Sequence, residues 1–476
     1  MRSPHSLVGN GNTARLRCGG RSRHHRAVVG SREGCGNSCV SCAADGIMIV
    51  DELSQTLDAG AYQISARLRP LRGDDEPFRL WFRFPARYAP EGKPDASVFV
   101  PPALVRSLRR GEDLIVEGPV SPRLLDGLPA TMRAYRSFFS GRIRKPIAVE
   151  ADRVAPGPGR ELTATMFTRG VDSSYAALEA RDDPALLPGL THAVYAPAWN
   201  AASWSDALRD RKTEATRRAA ADIGLELIEL ESNITDHFGR GLLAAALALG
   251  FTNVLIPSGR AFSELVPKGT HPQLDPRLST ERTEIHHYGD ASRLQKVERI
   301  SQVPAVGNWL RVCRLEGLED DRNCCRCEKC LRTMLELHVC GALVDCPAFD
   351  RPLTVEAVAT MADLKGAIQS PRYDEILHAL GDSDFDRRLA DVLRVVMLRA
   401  DVRLAARYAQ RMARQAPKLS RLRRSSRELE AVDKQLAKLV ASLSDGSDGA
   451  ETTRAKNAAG WRGAVSAQLR RITGRS

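Results

Sequence analysis

Cys313, Cys324, Cys327 and Cys330 follow one another as C-x10-C-x2-C-x2-C, with Cys325 beside them in RNCCRCEKC. Two-residue gaps let successive thiolates turn toward one tetrahedral ion, and a distant fourth cysteine closes the shell. The spacing predicts a structural Zn²⁺ over 313–330 that ties down a loop-rich stretch poor in apolar residues. A saturated four-thiolate shell leaves no open position for catalysis. The same ligands could hold an iron–sulfur cluster, or be buried thiols and nothing more. Cys325 lies within reach of the place given to Cys324, whereas Cys340 and Cys346 read as helix and loop residues.

A second chemistry is spelled by Phe167 to Leu178, FTRGVDSSYAAL, which follows the apolar-leaning ELTATM. A strand that ends in a small-residue turn and opens a helix presents unpaired backbone N–H groups and the positive end of the helix dipole. An anion fits there. Gly170 can take a backbone conformation closed to other residues, while Thr168, Ser173 and Ser174 supply hydroxyls to phosphate oxygens. Asp172 is placed to cap the helix or to hold Mg²⁺. No Gly-Lys-Ser/Thr follows, so this is not a Walker loop. Read alone, the same residues also fit a strand, turn and helix without a ligand.

Thr168 to Ser173 aligns with Ser-Gly-Gly-x-Asp-Ser, the signature of the PP-loop ATP pyrophosphatases, and the chain resembles that family here. Gly170, Asp172 and Ser173 match, Thr168 is a conservative change, and Arg169 stands where the family has glycine. A four-cysteine zinc site after such a loop is similar to the 7-cyano-7-deazaguanine synthase branch. The resemblance spans 160–345 and leaves out the flanking segments, so it is to a relative of that branch. It implies an adenine-nucleotide α-hydrolase-like (HUP-like) domain. ATP and Mg²⁺ would be held by Thr168, Arg169, Gly170, Val171, Asp172, Ser173 and Ser174, with Asp172 and Ser173 in catalytic positions. It also implies a chemistry: an acceptor oxygen attacks the α-phosphate of ATP, pyrophosphate leaves, and ammonia or an amine then displaces AMP.

Between the two motifs, PSGRAFSELVPKGTHPQLDPRLSTERTEIHHYGDASRLQKVERI is dense in polar residues after a strand end: Lys268, His271, Asp275, Ser279, Thr280, Glu284, Arg293 and Lys296. Loops on rigid scaffolds carry function, so this stretch reads as a binding wall. The resemblance assigns Lys296, and after it Arg293, to the leaving pyrophosphate. His286 and His287 lack ligand spacing to a third partner. Arg211 and Glu214 open a helix where the family places substrate-adjacent residues, and a helix-start salt bridge explains them equally well.

The elements that must position these residues alternate: TATMF then SSYAALEA, THAVYAP then TEATRRAAADIG, ELIELE then GLLAAALAL, NVLIPSG, and later TEIHHYG. Strand and helix in turn predict an α/β fold, a doubly wound parallel sheet with ligands at the carboxyl ends of its strands. Ahead of it, Tyr62, Ile64, Ala66 and Leu68 alternate, as do Phe78, Leu80, Phe82 and Phe84. With SVFV, DLIVEG and PIAVEA they make 48–155 a β-rich domain that ends in the linker APGPG. Past residue 345 the chain turns helical, to about 445. Leu422, Leu429, Val432, Leu436, Leu439 and Leu443 fit a and d positions of a short coiled coil, which would serve a homodimer, or of a helical hairpin on the protein itself.

A chain of 476 residues has room for about two or three domains. Its net charge of +12 is carried by the ends: +5 over 1–47 and +10 over 401–476, leaving −3 between them. A nucleic-acid partner is therefore expected only through the basic tails, and a small-molecule substrate at the core. Segments 1–47 and 446–476 have the composition of disordered chain. The C-x3-C-x2-C of Cys35, Cys39 and Cys42 matches radical-SAM spacing, but no eightfold strand-helix repeat follows. No run of 18 apolar residues and no secretory signal is present, so no membrane partner and a cytoplasmic location are expected. Eleven cysteines then point to metal or catalysis before disulfides.

Overall fold

The computed structural model describes residues 26–29, 46–71, 76–143, 145–184, 187, 189–196, 204–234, 240–267, 269–313, 321–361, 370–415 and 420–444. Cys35, Cys39, Cys42, Lys268, the tail 446–476 and most of 1–47 lie outside them. Arg26–Val29 (β1) is ordered as a strand, where disordered chain is expected.

Ile47–Asp58 (β2), Ala61–Pro70 (β3) and Phe78–Pro85 (β4) form an antiparallel meander. Ala59 and Gly60, both at positive φ (47° and 78°), make the two-residue turn between β2 and β3. Two left-handed residues match the twist of the flanking strands. The expected alternation is realised: Tyr62, Ile64, Ala66, Leu68, Leu80, Phe82 and Phe84 are buried.

The rest of this unit is richer in helix than its sequence suggests. SVFV is not a strand but a 3-10 turn, Ala96–Phe99, that runs into Val100–Arg110 (α1). The Asp95 carboxylate accepts from Ser97 N, and Pro101 and Pro102 occupy the first helical turn, where a missing N–H costs nothing. Asp113–Val120 (β5), Pro122–Phe138 (α2) and Val149–Arg153 (β6) follow. Pro122, Gly127 and Pro129 disguise α2, yet Leu124, Leu125, Leu128, Met132 and Tyr135 share its buried face. β5 and β6 join β2 in parallel, so the sheet is mixed.

The second sheet is parallel throughout: Arg160–Met166 (β7), Leu190–Tyr195 (β8), Glu226–Glu229 (β9), Phe251–Pro257 (β11) and Glu284–Tyr288 (β12), in the order β12-β11-β7-β8-β9. The two-residue strand Glu231–Ser232 (β10) leaves this unit to pair with β4, completing a seven-stranded first sheet. Val171–Asp182 (α3), Asp206–Asp222 (α4) and Arg293–Ser301 (α6) pack on one face of the parallel sheet, over Ala193, Tyr195 and Leu227. Arg240–Leu249 (α5), almost wholly buried, lies on the other face over Ala164, Met166, Val254 and Ile256. The core on that second face runs without a break into the N-terminal unit.

Close packing marks this junction. A Cβ on Gly127 in α2 would overlap the backbone carbonyl oxygen of Arg277. An exposed helical Gly→Ala change usually stabilises by about 1 kcal/mol. Gly127→Ala should instead destabilise, by about 1–3 kcal/mol, because backbone must move. An unchanged or raised midpoint in chemical denaturation would refute this close contact.

Pro304–Trp309 (α7), Glu328–Val339 (α8), Val355–Ala359 (α9) and Ser370–Ala379 (α10) lead to a long hairpin, Asp384–Gln415 (α11) and Ser420–Ser444 (α12). Leu429, Val432 and Leu436 of the a/d stripe are buried within the chain, in one core with Val392, Val396 and Val402 of α11. The hairpin arrangement is the one found. No helix among the described residues is long and apolar enough to cross a membrane.

Candidate functional site

Strand order in the parallel sheet reverses between β7 and β11. At such a point the loops leaving two neighbouring strands diverge and open a crevice. Thr168 to Gly170 leave β7 here and Ser258 to Arg260 leave β11. Gly170 is the N-cap of α3, with extended backbone and no side chain over the first turn. Thr168 N donates to Ser173 Oγ at 3.2 Å, and Ser173 Oγ donates to Gly170 O at 3.0 Å. These bonds pre-form a closed turn around the helix start. Thr168 is exposed, Val171 buries its side chain and offers only backbone, and the buried Ser174 hydroxyl has no hydrogen-bond partner.

Arg169 does not face this cradle. It takes the left-handed conformation, φ 59°, which glycine adopts most freely. For a side-chain-bearing residue that conformation costs about 1–2 kcal/mol. The side chain is buried, donating from Nε to Thr216 Oγ1 (3.0 Å) and from Nη2 to Asp321 Oδ2 (2.5 Å). Asp321 also receives Lys212 Nζ at 2.7 Å and Arg311 Nε at 3.1 Å. Burial alone would raise the Asp321 carboxyl; Arg169 and Lys212 outweigh it, so its pKa falls below the ordinary value. The Arg169 side chain is thus engaged in a buried ion-pair network. The helix start read around Arg211 and Glu214 contributes differently as well. Arg211 is exposed and Glu214 pairs with Arg217 and Arg218, whereas Lys212 and Thr216, one turn apart, face inward.

Asp172, in the first turn of α3, keeps about a third of its side chain exposed and meets Arg293 Nη1 at 3.1 Å and Lys296 Nζ at 3.9 Å. Burial would raise its carboxyl; Arg293, Lys296, Arg372 and Arg332 together hold it below the usual range, so it stays ionised. Lys296 is buried, donates to Ser258 O at 2.8 Å and is pushed down to about 8, first by burial and then by Arg293 and Arg372 against the pull of Asp172. Arg293 also bonds Glu336 of α8 at 3.2 Å. Three further cations join them, Arg260 from the polar stretch after β11 and two from the helices α8 and α10. Arg260 follows β11, Arg332 lies on α8 between Glu328 and Glu336, and Arg372 on α10 donates to Gly259 O at 2.6 Å. Burial, then Arg332, Arg293 and Arg260, push Arg372 down to about 10, and its buried Nε has no hydrogen-bond partner. Five cations here face the carboxylates of Asp172, Glu264, Glu328 and Glu336, with Asp290 also acting on Lys296. Burial first, and then neighbouring cations, push Arg260, Lys296 and Arg372 below their ordinary values, and such a crowding of buried positive charge suits an anion.

The polar stretch before them divides. His287 Nδ1 lies 2.7 Å from Asp275 Oδ2, and His286 bonds Asn253. His271, Ser279 and Thr280 are buried in the same loop, where Ser279 Oγ accepts from Ile285 N and Thr280 Oγ1 from Thr283 N. Glu284 pairs with Arg123 of α2. These hold the fold together, whereas Arg293 and Lys296, among the described residues, reach the crevice.

The sulfurs of Cys313, Cys324, Cys327 and Cys330 all lie within 4.8 Å of one another. Cys324 and Cys330 are 3.8 Å apart, Cys313 and Cys327 4.0 Å. Four sulfurs about 2.3 Å from a tetrahedral Zn²⁺ lie about 3.8 Å apart, so the group can hold a metal ion and is compatible with zinc. Cys330 is raised by its neighbours Cys313 and Cys327 and by burial, and Cys324 by burial. A divalent cation removes that penalty by stabilising the thiolates. Cys325, at φ 53°, turns its sulfur away, to Asn323 O and Asp350 Oδ1. Cys346 approaches Gly307 O and Cys340 ends α8.

The chain matches no family model, no curated protein and no solved structure.

Proposed function

We propose that the protein is an ATP-dependent adenylating enzyme of the PP-loop type, cleaving ATP to AMP and pyrophosphate to activate a small-molecule carboxylate or similar oxygen for attack by ammonia or an amine. The observation that carries this reading is the meeting of one helix N-terminus with Arg260, Arg293, Lys296, Arg332 and Arg372 where the strand order reverses. Backbone N–H groups of the loop would take phosphate oxygens. Asp172, ionised, is the carboxylate at hand for Mg²⁺.

The reaction asks little acid–base work of the chain. The acceptor oxygen bonds to the α-phosphorus as the bond to the bridging oxygen breaks, and negative charge grows on the departing pyrophosphate. Cations fixed in place before the reaction stabilise that charge without reorganising. Lys296 and Arg293 are the nearest to Asp172. At the cysteines Zn²⁺ is the ion we assign, in a structural role.

Incubation with ATP, Mg²⁺ and fractionated metabolites should release AMP and pyrophosphate in equal amounts from one fraction. Release only with tRNA would move the acceptor to RNA. ATP binding without turnover in any fraction would make the chain a nucleotide-binding scaffold, and either result overturns small-molecule adenylation.

A further inference from the structure

The phosphate loop and the cysteine loop are 143 residues apart in sequence from Gly170 to Cys313, yet they share hydrogen bonds. Arg311 N donates to Arg169 O at 2.9 Å, and Arg311 Nη1 donates to Cys313 O at 3.0 Å, so one arginine joins both backbones. Asp321, three residues before Cys324, takes the side chains of Arg169, Lys212 and Arg311. Asn323, next to Cys324, accepts from Val312 N and Cys313 N and donates to Leu310 O and Ala348 O. Closing the cysteine shell therefore fixes both ends of the segment that grips Arg169.

We infer that the metal-bound cysteine loop is the clamp that holds the phosphate loop in its anion-binding shape, with Arg169 and Asp321 as the positioning residues that connect them. Arg169 supplies no charge to the anion. It holds the backbone at a left-handed conformation that glycine would adopt freely, and the hold comes from Asp321. Where a glycine leaves the loop self-sufficient, this chain has made it depend on the metal site. The inference rests on the phosphate-loop reading for its consequence in binding, but its structural content does not.

The test is amide hydrogen exchange across the full chain, with pyrophosphate titration in parallel. Chelating the metal should quicken exchange at Gly170–Ser174 about tenfold, along with exchange at Cys324–Cys330. Pyrophosphate affinity should fall by a similar factor. Asp321→Asn, which leaves all four cysteines in place, should retain one metal per chain, show the quickened exchange at Gly170–Ser174, and gain nothing further there on chelation. If Asp321→Asn does not fold, Arg169→Ala, which keeps a side-chain-bearing residue at the left-handed position but removes its hold on Asp321, takes away the other partner while Asp321 keeps Lys212 and Arg311, and should show the same quickened exchange. Unchanged exchange at Gly170–Ser174 after metal loss, or in a metal-loaded variant, overturns the inference, even if chelation loosens the whole chain. If exchange responds as described but neither ATP nor pyrophosphate binds, the clamp stands and the adenylating function falls.

Discussion

Cys330→Ser is expected to reduce bound metal from one per chain to none and to destabilise the protein by about 5 kcal/mol or more. Cys330 is fully buried in the first turn of α8, beside Leu331, Met334 and Leu335 of the core. A serine hydroxyl is a poor zinc ligand and leaves three thiols crowded without a compensating cation. The apparent free energy of structural zinc in small sites is about 10–16 kcal/mol, comparable to the whole stability of a domain. The loss spreads, because α8 also carries Arg332 and Glu336 into the cation cluster. Cys325→Ser is the control: that sulfur faces Asp350, so the metal should remain at one per chain. Elemental analysis with thermal melting decides. Full metal content in Cys330→Ser removes Cys330 from the ligand set, and metal loss in Cys325→Ser puts Cys325 into it.

How much of this was legible in the sequence depended on the distance over which the signal acts. The four thiols come together because their spacing is itself a local geometric constraint, and only the choice between Cys324 and Cys325 needed coordinates. There the deciding feature is backbone: Cys325 sits at positive φ and its side chain leaves the cluster. The five parallel strands were readable from alternating strand and helix patterns. The helices of the N-terminal unit were not, since Pro122, Gly127 and Pro129 punctuate α2 in sequence while tertiary packing overrides them. SVFV was lost for the opposite reason, as four apolar residues carry no period that separates a strand from a 3-10 turn.

The cation cluster marks the limit of local reading. Arg293 and Lys296 are named by the family resemblance and not by any local pattern. Arg332 and Arg372 belong to helices whose sequence advertises only amphipathic packing, and nothing in their neighbours tells a buried arginine from a solvated one. One cue was available in retrospect: Glu328, Arg332 and Glu336 stand at successive i,i+4 positions among apolar residues, an unusual place for three charges unless they pair inside the protein. Arg169 is the clearest case of a departure that sequence could notice but not interpret. Its role depends on Asp321, 152 positions away.

Lys296→Met is expected to lower pyrophosphate release by about 10²–10³-fold, the usual consequence of deleting one pre-placed donor to growing charge. The wild type should also carry a pH signature that this variant lacks. Lys296 is pushed down to about 8 from its ordinary 10.5, burial being the largest cause, with Asp172 opposing and Arg293 and Arg372 assisting. Below pH 8 it is an ammonium; as pH rises through 8 it loses its proton and the crevice loses a charge. Affinity of the free enzyme for pyrophosphate should therefore fall by about tenfold between pH 7 and 9, and kcat/KM should bend at the same place. Stability must move the other way. The unfolded chain keeps this proton up to about 10.5, so between pH 8 and 10.5 it binds more protons than the folded chain, and the unfolding free energy rises with pH in that window. Below pH 8 the full penalty of burying the ammonium is present. Opposite slopes for affinity and for this contribution to stability, both absent in Lys296→Met, separate a buried lysine poised at the crevice from a general alkaline loss of activity. If wild type and Lys296→Met respond to pH alike, the lysine does not act on the anion.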